Sequence, residues 1–453
     1  MIVMKFGGTS VESAAAIGKV AAIVKGRLVQ RPVVVVSAMG KTTNKLLEIA
    51  AKAVAGDRAE AFRLLTALEA FHYAESPADA SEIIAAHFQE LSAVVEELVE
   101  LKEFPPQYVD LVSSYGERLS SHIVALAFQK LGLDAVQVDS RSVIITDRRH
   151  AQASPLYPRT YAKLQAQVKP LAQNKVVVMG GFIGSTQDGF TTTLGRGGSD
   201  FTGAIVGAGL AAEEIQIWTD VDGMLTCDPR IVSGGHRVKV ISFAEAAELA
   251  YFGAKVLHPA TVVPAMEKNI PVLILNSKNP ASEGTRIVAD RVPCANPVKS
   301  IACKQGITLV NIVSLRMLMA HGFLHRIFDI FDRYRTSVDM VTTSEVSVSL
   351  TIDNKESLAD ICEELRQIAE VTVEENQALI CLVGDAIRER PGVALSIFKA
   401  MGDVNVKMIS QSASSLNLTM LVAGDDLKKA VRSLHNHLFA TLDPAVFDLK
   451  GAL

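Results

Sequence analysis

A lysine stands two residues ahead of a glycine pair near the start of the chain, Lys5, Gly7 and Gly8 in KFGGTS, and this sets an ammonium group beside unscreened backbone. With no Cβ in the way, the two glycine amides can approach an anion closely, and the ammonium adds charge. That is phosphate chemistry. Three further segments combine glycine, hydroxyl and charge: SAMGKTTN at Ser37 to Asn44, TLGRGGSD at Thr193 to Asp200, and WTDVDG at Trp218 to Gly223. Arg196, planted among Gly195, Gly197 and Gly198, offers a planar fork suited to a carboxylate or a phosphate. Ser199 or Asp200 is placed to cap a helix beginning near Phe201, whose N-terminus would face an anion. Taken alone, a short GxGG string is more often a surface turn with an ordinary cap. Four such segments in one chain point to a phosphate-handling enzyme.

Each segment follows or closes an apolar run that reads as a strand: IVMKF, VVVVS, VVVMGGFI and IQIWTD. Strand ends are where open α/β sheets bind ligands. Up to about Asn276, strand-like runs alternate with helical ones, the pattern of a parallel sheet covered by helices. Asp57 to Lys102 is rich in Ala, Leu and Glu at helical spacing and breaks near Ser76 and Pro77, which predicts a helical excursion. The stretch from Asn276 to Ser300 collects Pro, Ser, Asn and Gly around one short strand at most, and marks a boundary.

Beyond that boundary the chain repeats itself. VDMVTTSEVSVSLTI at Val338 to Ile352 aligns with VKMISQSASSLNLTM at Val406 to Met420, a shift of 68 residues. HGFLHRIF at His321 to Phe328 aligns with PGVALSIF at Pro391 to Phe398, a shift of 70. Each copy reads as strand, helix, strand, strand, helix and a last strand, a ferredoxin-like βαββαβ unit.

Composition permits this organisation and excludes others. With 453 residues, 49% of them apolar, the chain can bury large cores, and about two or three domains are expected. A net charge of -4 without a basic cluster predicts no nucleic-acid partner. No apolar run approaches the roughly 18 residues needed to span a bilayer, so no membrane role is expected. The N-terminus opens as a strand with no visible signal peptide, and a cytoplasmic location is the expectation. Five cysteines without a CxxC pair read as reduced core thiols, and no residue set has metal-ligand spacing.

KFGGTS, SAMGKTTN, SYGERLS at Ser114 to Ser120, TLGRGGSD, WTDVDGMLTCDPR and FGAKVLHP at Phe252 to Pro259 occur in this order. Together they resemble the amino-acid-kinase fold, and within it the aspartokinases, with a tandem pair of ACT domains at the C-terminus. FGAKVLHPAT and TTSEVSVSL are most similar to the lysine-sensitive, single-function type. The resemblance implies an α/β catalytic domain over residues 1–290, mostly parallel sheet between helices. Two ferredoxin-like ACT domains, 300–375 sensing an effector and 376–453 serving structure and dimerisation, would follow. No room for a dehydrogenase domain is expected. It implies phosphoryl transfer from ATP with Mg2+ to the β-carboxylate of L-aspartate. A carboxylate already ionised at pH 7 needs no general base, so positioning and charge neutralisation remain as the enzyme's work.

By the same resemblance, Lys5, Asp200 and Lys255 are catalytic. Arg196 takes the α-carboxylate and Glu117 the ammonium group, while Ser37 and Thr43 hold the reacting end and Ser199 joins them. Lys5, Gly7, Gly8, Thr219, Asp220, Asp228, Arg230 and Lys255 would contact ATP. From the residues alone, Glu117 is equally an exposed helical carboxylate or a partner of Arg118. A glutamate or acetylglutamate kinase of the same fold, and a catalytically silent sensor, are the competing readings.

The repeat itself singles out a sensor. Asp339 and Glu345 of the first copy align with Lys407 and Ala413 of the second, so only the first copy keeps two carboxylates near its ligand loop. An amino acid's ammonium group needs such acceptors, although Asp339 taken alone is as well read as a turn acid. Met317, Gly322, Phe323, Leu324, Ser337, Val338 and Ser344 complete the effector site by similarity to the lysine-sensitive type, with L-lysine as the expected effector. A homodimer or dimer of dimers, with allosteric coupling of about 1 to 3 kcal/mol, follows from that likeness.

Overall fold

IVMKF and PVVVV are buried along their whole length, as central strands of a parallel sheet must be. The computed structural model describes residues 1–252, 259–315, 321–411 and 414–449. These divide into two compact units, one of residues 1–224, 239–243 and 256–290, the other of 225–238, 244–255 and 291–453.

The strands of the first unit are β1 (Ile2–Phe6), β2 (Pro32–Val36), β3 (Ala135–Val138), β4 (Ile145–Thr146), β5 (Val176–Gly180), β6 (Ile183–Thr186), β7 (Thr191–Thr193), β8 (Glu214–Thr219), β9 (Val240–Ser242), β10 (Val272–Asn276) and β11 (Thr285–Val288). Eight form one sheet in the order β3-β5-β2-β1-β8-β10-β11-β9, and β4-β6-β7 form a small second sheet. Within the large sheet only the β10–β11 pairing is antiparallel. Phe6 lies level with Val36 and Trp218, and Val36 with Gly180. Gly7, Ser37, Gly181 and Thr219 therefore leave the sheet at one edge. Backbone bonds fix that edge: the Gly7 amide donates to Trp218 O at 3.1 Å, and the Gly181 amide to Val36 O at 2.7 Å.

The helical excursion is present, with helices Arg58–Ala74 and Ser81–Leu101 separated by a single 3-10 turn. Asp57 caps the first, its side chain accepting from the Glu60 amide at 3.3 Å. After it comes helix Pro106–Lys130, with proline at its first position, where the missing N–H costs nothing. Gly116 lets this helix lie against the loop after β2. A Cβ there would come within 2.7 Å of Ala38 Cβ.

In the second unit β12 (Ser300–Val313), β13 (Met340–Thr343), β14 (Ser347–Ile352), β15 (Glu370–Val383), β16 (Val406–Gln411) and β17 (Asn417–Ala423) make one antiparallel sheet, β13-β14-β12-β15-β17-β16. The expected last strand does not follow the final helix of the second copy, Leu427–Leu438, as a strand of its own among the described residues. β12 supplies it instead. Its residues 300–305 pair with 378–383 of β15, while 308–313 pair with β14 and 309–313 also with the start of β15. The two copies are thus interlocked through two long shared strands. No helix of the described residues is long and apolar enough to cross a membrane.

One charge pair is sealed inside this second unit. Lys299 and Glu245 have side chains 0% and 2% exposed, with Lys299 Nζ 2.8 Å from the carboxylate, and the same ammonium donates to Val292 O at 2.6 Å. Removing one partner strands the other charge in a water-free site. Lys299→Ala is expected to destabilise the protein by about 3 to 5 kcal/mol, whereas replacing both residues by Met and Leu should be far milder. Urea denaturation followed by circular dichroism measures both.

Candidate active site and effector site

Seven residues marked out by the sequence, Lys5, Ser37, Thr43, Glu117, Arg196, Ser199 and Asp200, line a single cavity of about 450 Å³ in the first unit. They come from the end of β1, the loop after β2, helices Thr42–Val54 and Pro106–Lys130, and the turn into helix Gly198–Leu210. Leu47, Val109 and Phe182 add apolar wall. Segments nearly two hundred residues apart in sequence meet because each stands at the same sheet edge or packs over it.

Charge is distributed unevenly around this cavity. Lys5 is a strand residue only 8% exposed, and its Nζ lies 2.7 Å from Asp200 Oδ1, an ion pair whose angles fall short of a hydrogen bond. Arg196 is exposed and has no ion pair among the described residues, so its guanidinium fork remains available at the glycine turn. Glu117 is 4% exposed, and its Oε2 has no hydrogen-bond partner. Burial pushes its carboxyl up to about 8, against the smaller pulls of the Ala38 backbone and the Lys5 ammonium. It is neither an exposed helical acid nor a partner of Arg118, which pairs with Glu90 at 2.7 Å. A buried carboxyl with one oxygen unpartnered suits an ammonium group brought in by a ligand.

The helix after TLGRGG starts earlier than the sequence predicts. It begins at Gly198, its N-cap is Gly197 at φ 71°, and no side chain caps it. Ser199 and Asp200 therefore sit in the first turn, not at the cap, and the Asp200 carboxylate is directed to Lys5. Sequence reasoning also passed over Asp110. Fully buried, it accepts from the Ala151 amide at 2.9 Å and the Thr193 hydroxyl at 2.5 Å, and lies 2.7 Å from His150 Nδ1. Ala151 and Thr193 line the cavity, so Asp110 ties two of its walls together. The available signal was spacing: Asp110 precedes Glu117 by seven residues, about two helical turns, on one face.

Gly7, Gly8, Thr219 and Asp220 lie at the same sheet edge, with the Thr219 hydroxyl donating to Asp220 Oδ1 at 3.3 Å. Asp228 and Arg230 belong to the second unit, where Arg230 is exposed and forks onto Asp228 at 2.6 Å. Lys255 is outside the described residues, as are Met317 and Ala413.

Residues 1–276 match the model of the amino acid kinase family, and residues 380–438 match an ACT domain. The lysine-sensitive aspartokinase 3 of Escherichia coli (strain K12) is 37% identical over 452 residues, covering 97% of this chain and 99% of that protein. The crystal structure of E. coli aspartokinase III with aspartate and ADP (R-state) superposes with a TM-score of 0.83 at 36% identity, covering 97% of this chain and 100% of the other. Its complex with lysine and aspartate (T-state) gives 0.84 at 36% identity, covering 97% and 99%. The chain belongs to the aspartokinases of the amino acid kinase family.

In this aspartokinase the described residues of the expected effector set stand on the first repeat. Gly322, at φ 78°, caps helix Phe323–Arg333; Phe323 is buried and Leu324 is 40% exposed. Ser337, Val338 and Asp339 precede β13, and Ser344 and Glu345 follow it. Asp339 is already paired within the chain. Lys304 Nζ lies 2.8 Å from its Oδ1, and burial raises its carboxyl above the usual range against that ammonium's pull.

The Glu117 environment makes a prediction about protons. Below about pH 8 the empty site holds Glu117 protonated, and an ammonium group placed against it favours the ionised form. Binding of L-aspartate is expected to release close to one proton at pH 7, and its affinity should rise as pH climbs from 6 toward 8. Isothermal titration in buffers of different ionisation heat measures the release, and Glu117→Gln should abolish it.

Proposed function

We propose that this aspartokinase transfers the γ-phosphoryl group of ATP to the β-carboxylate of L-aspartate and answers to L-lysine through its first ACT repeat. The observation that carries the catalytic half is the gathering of Lys5, Glu117, Arg196 and Asp200 around one cavity that also holds Ser37 and Thr43. Arg196 receives the α-carboxylate in a two-pronged contact, and Glu117 the α-ammonium. Ser37 and Thr43 present the β-carboxylate, with Ser199 beside them in the first helical turn.

A β-carboxylate oxygen attacks the γ-phosphorus while the bond to the bridging oxygen of the β-phosphate breaks, giving β-aspartyl phosphate and ADP with no proton to move. The transition state spreads negative charge over the phosphoryl oxygens, and the Lys5 ammonium, with the Gly7 and Gly8 amides, offsets it. Thr219 and Asp220 serve the nucleotide from the same edge, and Asp228, Arg230 and Lys255 are assigned to it by likeness alone. Among the described residues no group of three or more His, Cys, Asp or Glu is arranged to hold a metal. Mg2+ would keep much of its water and be carried mainly by phosphate oxygens. Asp200 and Asp220 are the carboxylates that would assist, and the ion would supply charge neutralisation.

Lysine as effector is supported by the lysine-sensitive relative and by the E. coli complex that contains lysine. Asp339 and the Ser344–Glu345 pair stand at opposite ends of β13, about 17 to 20 Å apart along the strand. A second copy of the chain, bringing one end beside the other, would put both within reach of one small ligand, which favours a homodimer. In this reading residues 300–375 sense and 376–453 support, with residues 1–290 catalytic.

The test is turnover, with the acyl phosphate trapped as a hydroxamate. L-Aspartate should react well, while L-glutamate and D-aspartate should be very poor; preference for glutamate would move the chain to another carboxylate kinase. Lys5→Ala is expected to lower kcat by about a hundredfold or more while the fold is kept. Asp339→Ala should relieve lysine inhibition and leave kcat unchanged.

A further inference from the structure

An ammonium group of this chain already holds Asp339. Lys304, on β12, places its Nζ 2.8 Å from Asp339 Oδ1 and 2.8 Å from Asp353 Oδ2. The two acids differ sharply in setting, with side chains 6% and 45% exposed. Asp339 Oδ2 is buried without a well-formed hydrogen bond, and the Tyr251 side chain faces the same carboxyl. One ammonium is therefore shared between two carboxylates, leaving the cluster with an excess negative charge that only the neutral Tyr251 hydroxyl faces from its buried end.

The second repeat shows what is special here. The shift of 70 residues brings Lys304 onto Glu374, and the shift of 68 brings Asp339 onto Lys407. Lys407 Nζ lies 2.6 Å from Glu374 Oε2, so the second copy carries the same ion pair with its signs exchanged. An ion pair at this place belongs to the repeat itself. In the second copy, however, the acid is 42% exposed and can be solvated when its partner leaves. Only the first copy buries its acid and provides a further, exposed carboxylate to which the lysine can retreat.

We propose that Lys304 is a built-in competitor of the effector: its ammonium group occupies Asp339 while the sensor is empty and moves to Asp353 when the ammonium of an incoming amino acid takes its place. This rests on Asp339 belonging to the effector site. The fraction of molecules in which Asp339 is released then scales the apparent affinity, so Lys304 and Asp353 together set the effector concentration at which the enzyme responds. An effector bearing a second ammonium group is favoured, because it replaces the charge it displaces.

Two substitutions should act in opposite directions. Lys304→Met removes the competitor and is expected to lower the lysine concentration for half-inhibition by about tenfold, whereas Asp353→Asn removes the retreat and should raise it. Activity without lysine should stay unchanged in both, since neither residue lines the catalytic cavity. Lysine inhibition curves, with isothermal titration of lysine onto the full-length protein, read both shifts. If Lys304→Met weakens lysine binding or leaves it unaltered, Lys304 merely orients Asp339 or stands apart from the site, and the proposal is overturned. Should Lys304→Met fail to fold, Asp353→Asn decides by itself, and tighter or unchanged binding there overturns it too. A wild-type enzyme that binds no lysine at millimolar levels removes the effector assignment itself, and the competitor with it.

Discussion

An ammonium group inside the central strand of a parallel sheet is the constraint around which the catalytic unit is arranged. β1 is buried at every position, and Lys5 interrupts its apolar run one residue before the sheet edge. A charge in that position is tolerable only with an opposite charge at hand. Asp200 supplies it, which is why helix Gly198–Leu210 must start where it does, capped by bare backbone at Gly197. The turn that brings Asp200 to Lys5 also sets Arg196 at the cavity. Opposite them, Glu117 stays uncharged near neutral pH and leaves one carboxyl oxygen without a partner. With Lys5 and Asp200 offsetting each other, the empty cavity keeps the one positive charge of Arg196, which suits a ligand carrying one ammonium group and two carboxylates.

The regulatory unit solves a related problem in another way. Lys299 and Glu245 form a pair matched one charge to one, with both carboxylate oxygens within 2.9 Å of the ammonium. Lys304, Asp339 and Asp353 form an open one, two carboxylates to a single ammonium, with a charge in excess. A matched pair serves stability, and an open one can serve binding. The distinction follows from the number of charges enclosed and the solvent each can reach, and it separates two clusters that look alike as residue types.

Much of this was legible in the sequence, for identifiable reasons. Strands buried on both faces are unbroken apolar runs, so IVMKF and VVVVS announced the sheet edge and the glycines beyond it. The break at Ser76 and Pro77 located the division in the helical excursion, and the internal repeat disclosed the paired βαββαβ units. Other features were hidden because they depend on partners. Strand patterning does not say which strand lies alongside, so the passage of β12 through both repeats could not be read. Nor could the attachment of residues 225–238 and 244–255 to the second unit. Asp110 looked like any polar helix residue until burial gave it three contacts, and the pairing of Asp339 could not be read because Lys304 stands thirty-five residues away in sequence.

The account depends most on the cavity receiving L-aspartate in one orientation. A crystal structure of the protein with L-aspartate and a non-hydrolysable ATP analogue tests it most directly. The α-carboxylate should lie on Arg196, the ammonium on Glu117, and the β-carboxylate between Ser37, Thr43 and the terminal phosphate beside Lys5. Aspartate bound with its ends reversed, or outside this cavity, would contradict it.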